Sequence, residues 1–213
     1  MANRSILTFP DARLKEKSKP VTEFGDELRN LVKDMMDTLD VQMGVGLAAP
    51  QIGVLSRVVV VKGEPFGYMH PFPDELSSGA LVLVNPELEL STEKGVWEEA
   101  CLSVPGYRGK VKRSRGAILR YQALDGIPKM LNTSWPFSAV LQHECDHLEG
   151  ILYVDLNLNL KRRIYRDIRE AYMCKVKEIR RAKKEAKRER LAEFDPRKSH
   201  GPGKRQKKKG KKR

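Results

Sequence analysis

Between positions 22 and 40 the apolar residues Phe24, Leu28, Leu31, Val32, Met35, Met36 and Leu39 recur at i, i+3/i+4, i+7. That spacing predicts a helix over 22–40, with Thr22 as its N-cap. The pattern then changes. Val58-Val59-Val60-Val61, inside Arg57–Lys62, is an unbroken β-branched run and predicts a buried strand. Leu81–Val84 and Glu87–Leu90 predict two strands separated by the breaker Asn85-Pro86. Further strands are expected over Val96–Leu102, Ala117–Ala123 and Pro128–Asn132, the last two joined as a hairpin at Asp125-Gly126. A second helix is predicted from Ser134 or Trp135 to Glu149, with Pro136 in its first turn and Gly150 as its stop. Phe137, Val140, Leu141 and Leu148 give it apolar faces, so it should be substantially buried. A third helix, Asn157 to about Arg190, carries one narrow stripe that includes Leu160, Ile164, Ile168, Tyr172, Val176 and Ile179 among dense charges. Residues 63–80 have Gly, Pro and aromatics without period and read as a loop.

Helix, strands, then helices in that order indicate an α+β fold: small mixed or antiparallel sheets packed around the second helix, with an N-terminal helix and a long C-terminal one. The 213 residues suffice for one compact domain plus an appendage. No apolar run reaches the roughly 18 residues a membrane span needs, and Met1–Pro10 shows no signal-peptide pattern, so a cytoplasmic, membrane-free protein is expected. Three cysteines, Cys101, Cys145 and Cys174, argue for a reducing compartment and against a disulfide framework. The net charge of +13 conceals an asymmetry. Residues 161–213 hold 24 Lys+Arg against 7 Asp+Glu, a net of +17, while 1–160 hold 17 against 21, a net of −4. A mildly acidic body with a strongly basic end points to a polyanion partner, nucleic acid before membrane. The expected division is 1–175 as the catalytic domain, 176–195 as a basic helical extension and 196–213 as a disordered Lys/Arg-rich tail.

Two of the four histidines fall in His143-Glu144-Cys145-Asp146-His147 on the second helix. Imidazoles four residues apart project from one helical face and can share a metal ion, and the adjoining glutamate can act as general base. A catalytic site of zinc type needs a third protein ligand. His70 sits in the loop and His200 in the tail, which makes Cys101, at the end of a strand, the better candidate. Cys145 is a poor one, because two residues along a helix is about 200° of rotation. It reads as a core residue, and Cys174 as a half-buried position on the third helix. At this level three readings stand: a His₂Cys metallohydrolase, a zincin-type protease that need not use Cys101, and a basic RNA-binding protein whose histidine pair is incidental.

Three segments, in order, resemble the signature of the peptide deformylases: Gly44-Val45-Gly46-Leu47-Ala48-Ala49-Pro50-Gln51, Glu99-Ala100-Cys101-Leu102-Ser103, and His143-Glu144-Cys145-Asp146-His147. The likeness covers roughly residues 5–175, with Ala100 where the family usually has glycine. It implies a hydrolase that removes the formyl group from the formyl-methionine of nascent polypeptides. Cys101, His143 and His147 would hold the metal. The family implies Fe²⁺, with Zn²⁺, Ni²⁺ or Co²⁺ as substitutes, whereas His₂Cys ligation by itself would suggest zinc. Glu144 would carry the proton. The Gln51 amide and Leu102 N–H would stabilise the oxyanion. Val45 and Gly46 would line the peptide-binding edge, with Arg108 near the substrate mouth. Glu99 is expected to pair with a cation for structural reasons. A monomer is expected, and the basic tail is expected to dock on ribosomal RNA.

Overall fold

The computed structural model describes residues 4–62 and 79–193, in two compact units, Met1–Lys161 and Arg162–Arg213. The expected loop lies outside the described residues apart from Gly79 and Ala80, and so do His70, His200 and the tail 196–213.

In the first unit β2 (Val58–Lys62) shows why four consecutive valines are needed. Side chains alternate along a strand, so Val59 and Val61 go to one side and Val58 and Val60 to the other. All four are fully buried. Val59 and Val61 join Leu83, Leu119, Phe137, Leu141 and Leu148 in one core, whose helical members come from α2 (Phe137–Leu148). Val58 and Val60 join Leu28, Val32, Met35 and Leu39 of α1 (Asp26–Gln42) in the other. Full burial of a valine is worth about 1.5–3 kcal/mol, so this strand anchors both helices to one sheet.

That sheet has the order β1-β2-β3-β6-β7, every neighbour antiparallel. Its other strands are β1 (Gly46–Ala48), β3 (Ala80–Leu90), β6 (Gly116–Gln122) and β7 (Pro128–Ser134). β4 (Lys94–Cys101) and β5 (Val104–Ser114) form a separate antiparallel pair. The α+β expectation, with a central second helix and a long last helix, holds.

Four details differ from the sequence reading. The first helix begins at Asp26 with Gly25 as N-cap, not at Thr22. Val21 is tethered in both directions by Asn85, whose Oδ1 accepts its N–H and whose Nδ2 donates to its carbonyl, both at 2.8 Å. Asn85 and Pro86 do not break β3. Asn85 takes φ +50, a conformation asparagine tolerates, and the register to β6 shifts between Val84 and Glu87 while the strand continues. β5 was not predicted, because its inward positions include Gly109 and Arg113 in place of an apolar alternation. Cys174 is exposed, not half-buried.

α2 runs Phe137–Leu148, inside its expected bounds, and the hairpin turns at Gly126 (φ +82). Gly150 ends the helical region at φ +70. A further helix, α3 (Leu158–Glu193), crosses into the second unit. There Tyr165, Tyr172, Met173 and Ile179 are exposed among the charges. No helix among the described residues is long and apolar enough to cross a membrane.

A β-carbon at Gly150 would lie 2.4 Å from the Lys15 carbonyl oxygen, a backbone atom that cannot swing aside. Together with the left-handed φ, this makes Gly150→Ala cost at least about 2 kcal/mol, to be read as a lowered midpoint in thermal or urea unfolding.

Candidate active site

Cys101 closes β4, and His143 and His147 lie one turn apart on α2. Their donor atoms all fall within 4.8 Å of one another, and Cys101 Sγ is 3.3 Å from His147 Nε2. The imidazoles meet edge-to-face at 5.0 Å between centroids. Donors bound tetrahedrally at about 2.0–2.3 Å stand at such separations from each other, and one thiolate with two imidazoles suits a divalent transition metal. The sulfur accepts from the Ser103 N–H at 3.4 Å and from Gln51 Nε2 at 3.5 Å. Burial opposes a proton on His143, yet Cys101 and Glu99 pull its pKa well up.

Glu99 precedes Cys101 by two residues and so faces the same side of β4. Its carboxylate accepts from Arg113 Nε at 2.6 Å, from a terminal Arg113 nitrogen at 2.9 Å and from His143 Nδ1 at 2.7 Å. Burial pushes its pKa up, but these partners outweigh burial and hold the group ionised. The bond to Nδ1 leaves His143 Nε2 free for a metal, the usual arrangement behind a ligating histidine. Arg113 also donates to Asp146 at 2.6 Å. Tyr153 stacks on His143 at 6.0 Å. The expected structural role of Glu99 is present, and a ligand-orienting contact is added to it.

Glu144 is 5 % exposed, and its Oε2 has no partner among the described residues. Burial raises its pKa to about 7, with His143 tempering and Glu99 reinforcing the shift. Gln51 sits in a 3-10 turn, Ala49–Ile52, directly after β1. Its Oε1 accepts from the Ala48 N–H at 2.9 Å and its Nε2 donates to Ser103 Oγ at 3.1 Å, which fixes the amide plane beside Cys101. Leu102, partly buried, packs towards the α1 core. A β-carbon on Gly44 would come within 3.0 Å of its Cδ1.

Val45 and Gly46 lie at the edge strand β1. The Lys62 N–H bonds the Val45 carbonyl at 2.8 Å. Antiparallel pairing alternates, so the Gly46 N–H and C=O point to the open edge. Arg108 is exposed on β5 opposite Ala100 and is not drawn into the cluster of ligands. Cys145 lies outside the ligand group. It is partly exposed and not a core residue, because its flank of α2 borders a cavity shared with Arg57, Asp146 and Glu149. Its thiol is nonetheless pushed up to about 12 by burial. Sequence reasoning did not find Arg113, Asp146, Ser103 or Tyr153. Asp146, inside the motif beside His147, was the available signal.

Residues 3–163 match the family model for polypeptide deformylase. The chain is 42% identical to a peptide deformylase of Thermomicrobium roseum over 156 residues, covering 73% of this chain and 86% of that one. It is 41% identical to peptide deformylase 1 of Pseudomonas syringae, covering 76% and 91%. Among solved structures, a peptide deformylase from Legionella pneumophila superposes with TM-score 0.67 at 35% identity, over 79% of this chain and 96% of that one. One from Synechococcus elongatus in complex with actinonin does so with TM-score 0.64 at 30% identity, over 73% and 79%.

Replacing the carboxylate behind His143 should loosen the metal. Glu99→Gln is expected to lower metal affinity about 10–100-fold, measured by metal retained against a graded chelator.

Proposed function

The chain belongs to the peptide deformylase family, and from that premise we propose that it hydrolyses the formyl group from the formyl-methionine of nascent polypeptides, using Glu144 as its proton carrier. The observation that carries this reading is the buried Glu144 carboxylate set beside the converging Cys101, His143 and His147 donors.

Cys101, His143 and His147 would hold the metal, and ferrous iron is the ion proposed, with zinc, nickel or cobalt as replacements. When bound, the ion supplies Lewis acidity that lowers the pKa of water from 15.7 towards about 7. Glu144 takes a proton from the attacking water, with Oε2, which has no partner among the described residues, available to receive it. As the C–N bond of the formamide breaks, the same carboxyl returns the proton to the amine of the methionine, leaving formate and a free N-terminus. Proton transfer of this kind contributes about 10²–10⁴-fold.

Gln51 and Leu102 stabilise the oxyanion. One Gln51 N–H is engaged by Ser103 and the other rests on sulfur, a weak acceptor that a substrate oxygen can replace. Val45 and Gly46 bind the peptide backbone at the open edge of β1, and Arg108 attracts the substrate at the mouth. The protein acts as a monomer in the cytoplasm, a setting consistent with its three free cysteines.

The basic end, residues 161–213, binds ribosomal RNA near the point where formylated chains emerge. Support comes from its net charge of +17 beside a body of −4, and from the exposed Tyr165 and Tyr172 among the cations of α3. Contacts dominated by phosphate are independent of sequence and weaken steeply with salt.

Metal-loaded protein should release formate from a formyl-Met peptide. Glu144→Ala should keep its metal while losing at least about 100-fold in kcat. A loaded protein that releases no formate overturns the assignment, and a fully active Glu144 variant overturns the role of that residue. Removing residues 181–213 should abolish salt-sensitive co-sedimentation with ribosomes and spare turnover of a short peptide. Sedimentation that persists unchanged and insensitive to salt refutes the docking role.

A further inference from the structure

Gly46 has an ordinary backbone conformation, so its lack of a side chain answers no demand for positive φ. The demand is for space. A β-carbon built on it would lie 2.5 Å from Glu144 Oε1, 2.8 Å from Cδ and 2.9 Å from Cγ, all inside van der Waals contact. The alternation of β1 explains the approach. Leu47 packs into the α1 core and Ala48 into the core shared with α2, so position 46, like 48, faces α2, where Glu144 stands. The Glu144 carboxyl therefore lies against the bare α-carbon of Gly46. Its Oε2 accepts no hydrogen bond among the described residues.

We propose that Gly46 is a positioning residue for Glu144: the floor it provides sets the height of the carboxyl over the site, in addition to any backbone contact with substrate. This rests on Glu144 being the proton carrier. All three crowded atoms belong to the far end of a flexible side chain, and no backbone atom of α2 is among them. An added methyl is therefore accommodated by turning Glu144 aside while the fold stays as it is. Misplacing a reacting group by about 1 Å can cost about 10²-fold in rate.

The test is a double-mutant cycle on the metal-loaded enzyme with a formyl-Met tripeptide. Gly46→Ala is expected to lower kcat about 10–100-fold, with KM within about twofold and with metal content and unfolding midpoint unchanged. Glu144→Asp is one methylene shorter and withdraws the carboxyl from the α-carbon, so it lowers kcat by itself. In that background Gly46→Ala should cost less than about threefold, which is strong non-additivity. A raised KM with intact kcat overturns the proposal and leaves Gly46 with its edge role alone. Additive losses overturn it too, since the methyl would then act by another route. Full activity of Gly46→Ala beside an impaired Glu144→Asp removes the positioning role and spares the proton carrier. Full activity of Glu144→Asp instead counts against the proton carrier itself, and against the positioning role with it.

Discussion

A single buried carboxylate ties the site to the scaffold. Glu99 is 3 % exposed and bonded at once to Arg113 across the β4–β5 pair and to His143 on α2. A charge so placed would cost several kcal/mol if left alone, so the three elements stand or fall as one. Arg113 reaches on to Asp146, which adds a second link from the strand pair to the same helix. The geometry that brings sulfur and two imidazoles together is thus supported from behind, by an ionic contact buried at Glu99 and a partly buried one at Asp146.

The five-stranded sheet contributes the other half of that rigidity. Because β2 is buried on both faces, α1 and α2 are registered against the same strand, and β1 hangs from its free side. Gln51 follows β1 within a few residues, and its amide is pinned at both ends by Ala48 and Ser103. The elements that carry the three motifs are therefore fastened to one another, although the motifs are far apart in sequence.

The helices and most strands were legible because their patterns are local. Heptad-like spacing marks α1, four valines mark β2, and Asp125-Gly126 marks the β6–β7 turn. The candidate ligands were legible for a related reason, since the spacing of His143 and His147 encodes a shared helical face. What stayed hidden is tertiary. β5 hides because an inward glycine and an inward arginine look like solvent residues until Glu99 is seen opposite Gly109 and bonded to Arg113. The start of α1 hides because Asn85, far along the chain, holds the backbone of Val21 through two hydrogen bonds just ahead of the helix. The crowding of Gly46 by Glu144 is likewise invisible in one dimension, where that glycine reads only as part of the peptide-binding edge.

β1 has three residues and, among the described residues, one unpaired side. An open sheet edge is ordinarily a hazard, since any extended chain can add to it. Here brevity confines the hazard: three residues are too few to template a growing stack of identical molecules, and under the proposed role of this edge they would suffice to align the first residues of a passing chain. Pairing of that kind consults only main-chain amides, which every polypeptide presents alike. The same property that would make a longer edge sticky would make this one impartial, suited to a clientele as broad as everything the cell translates.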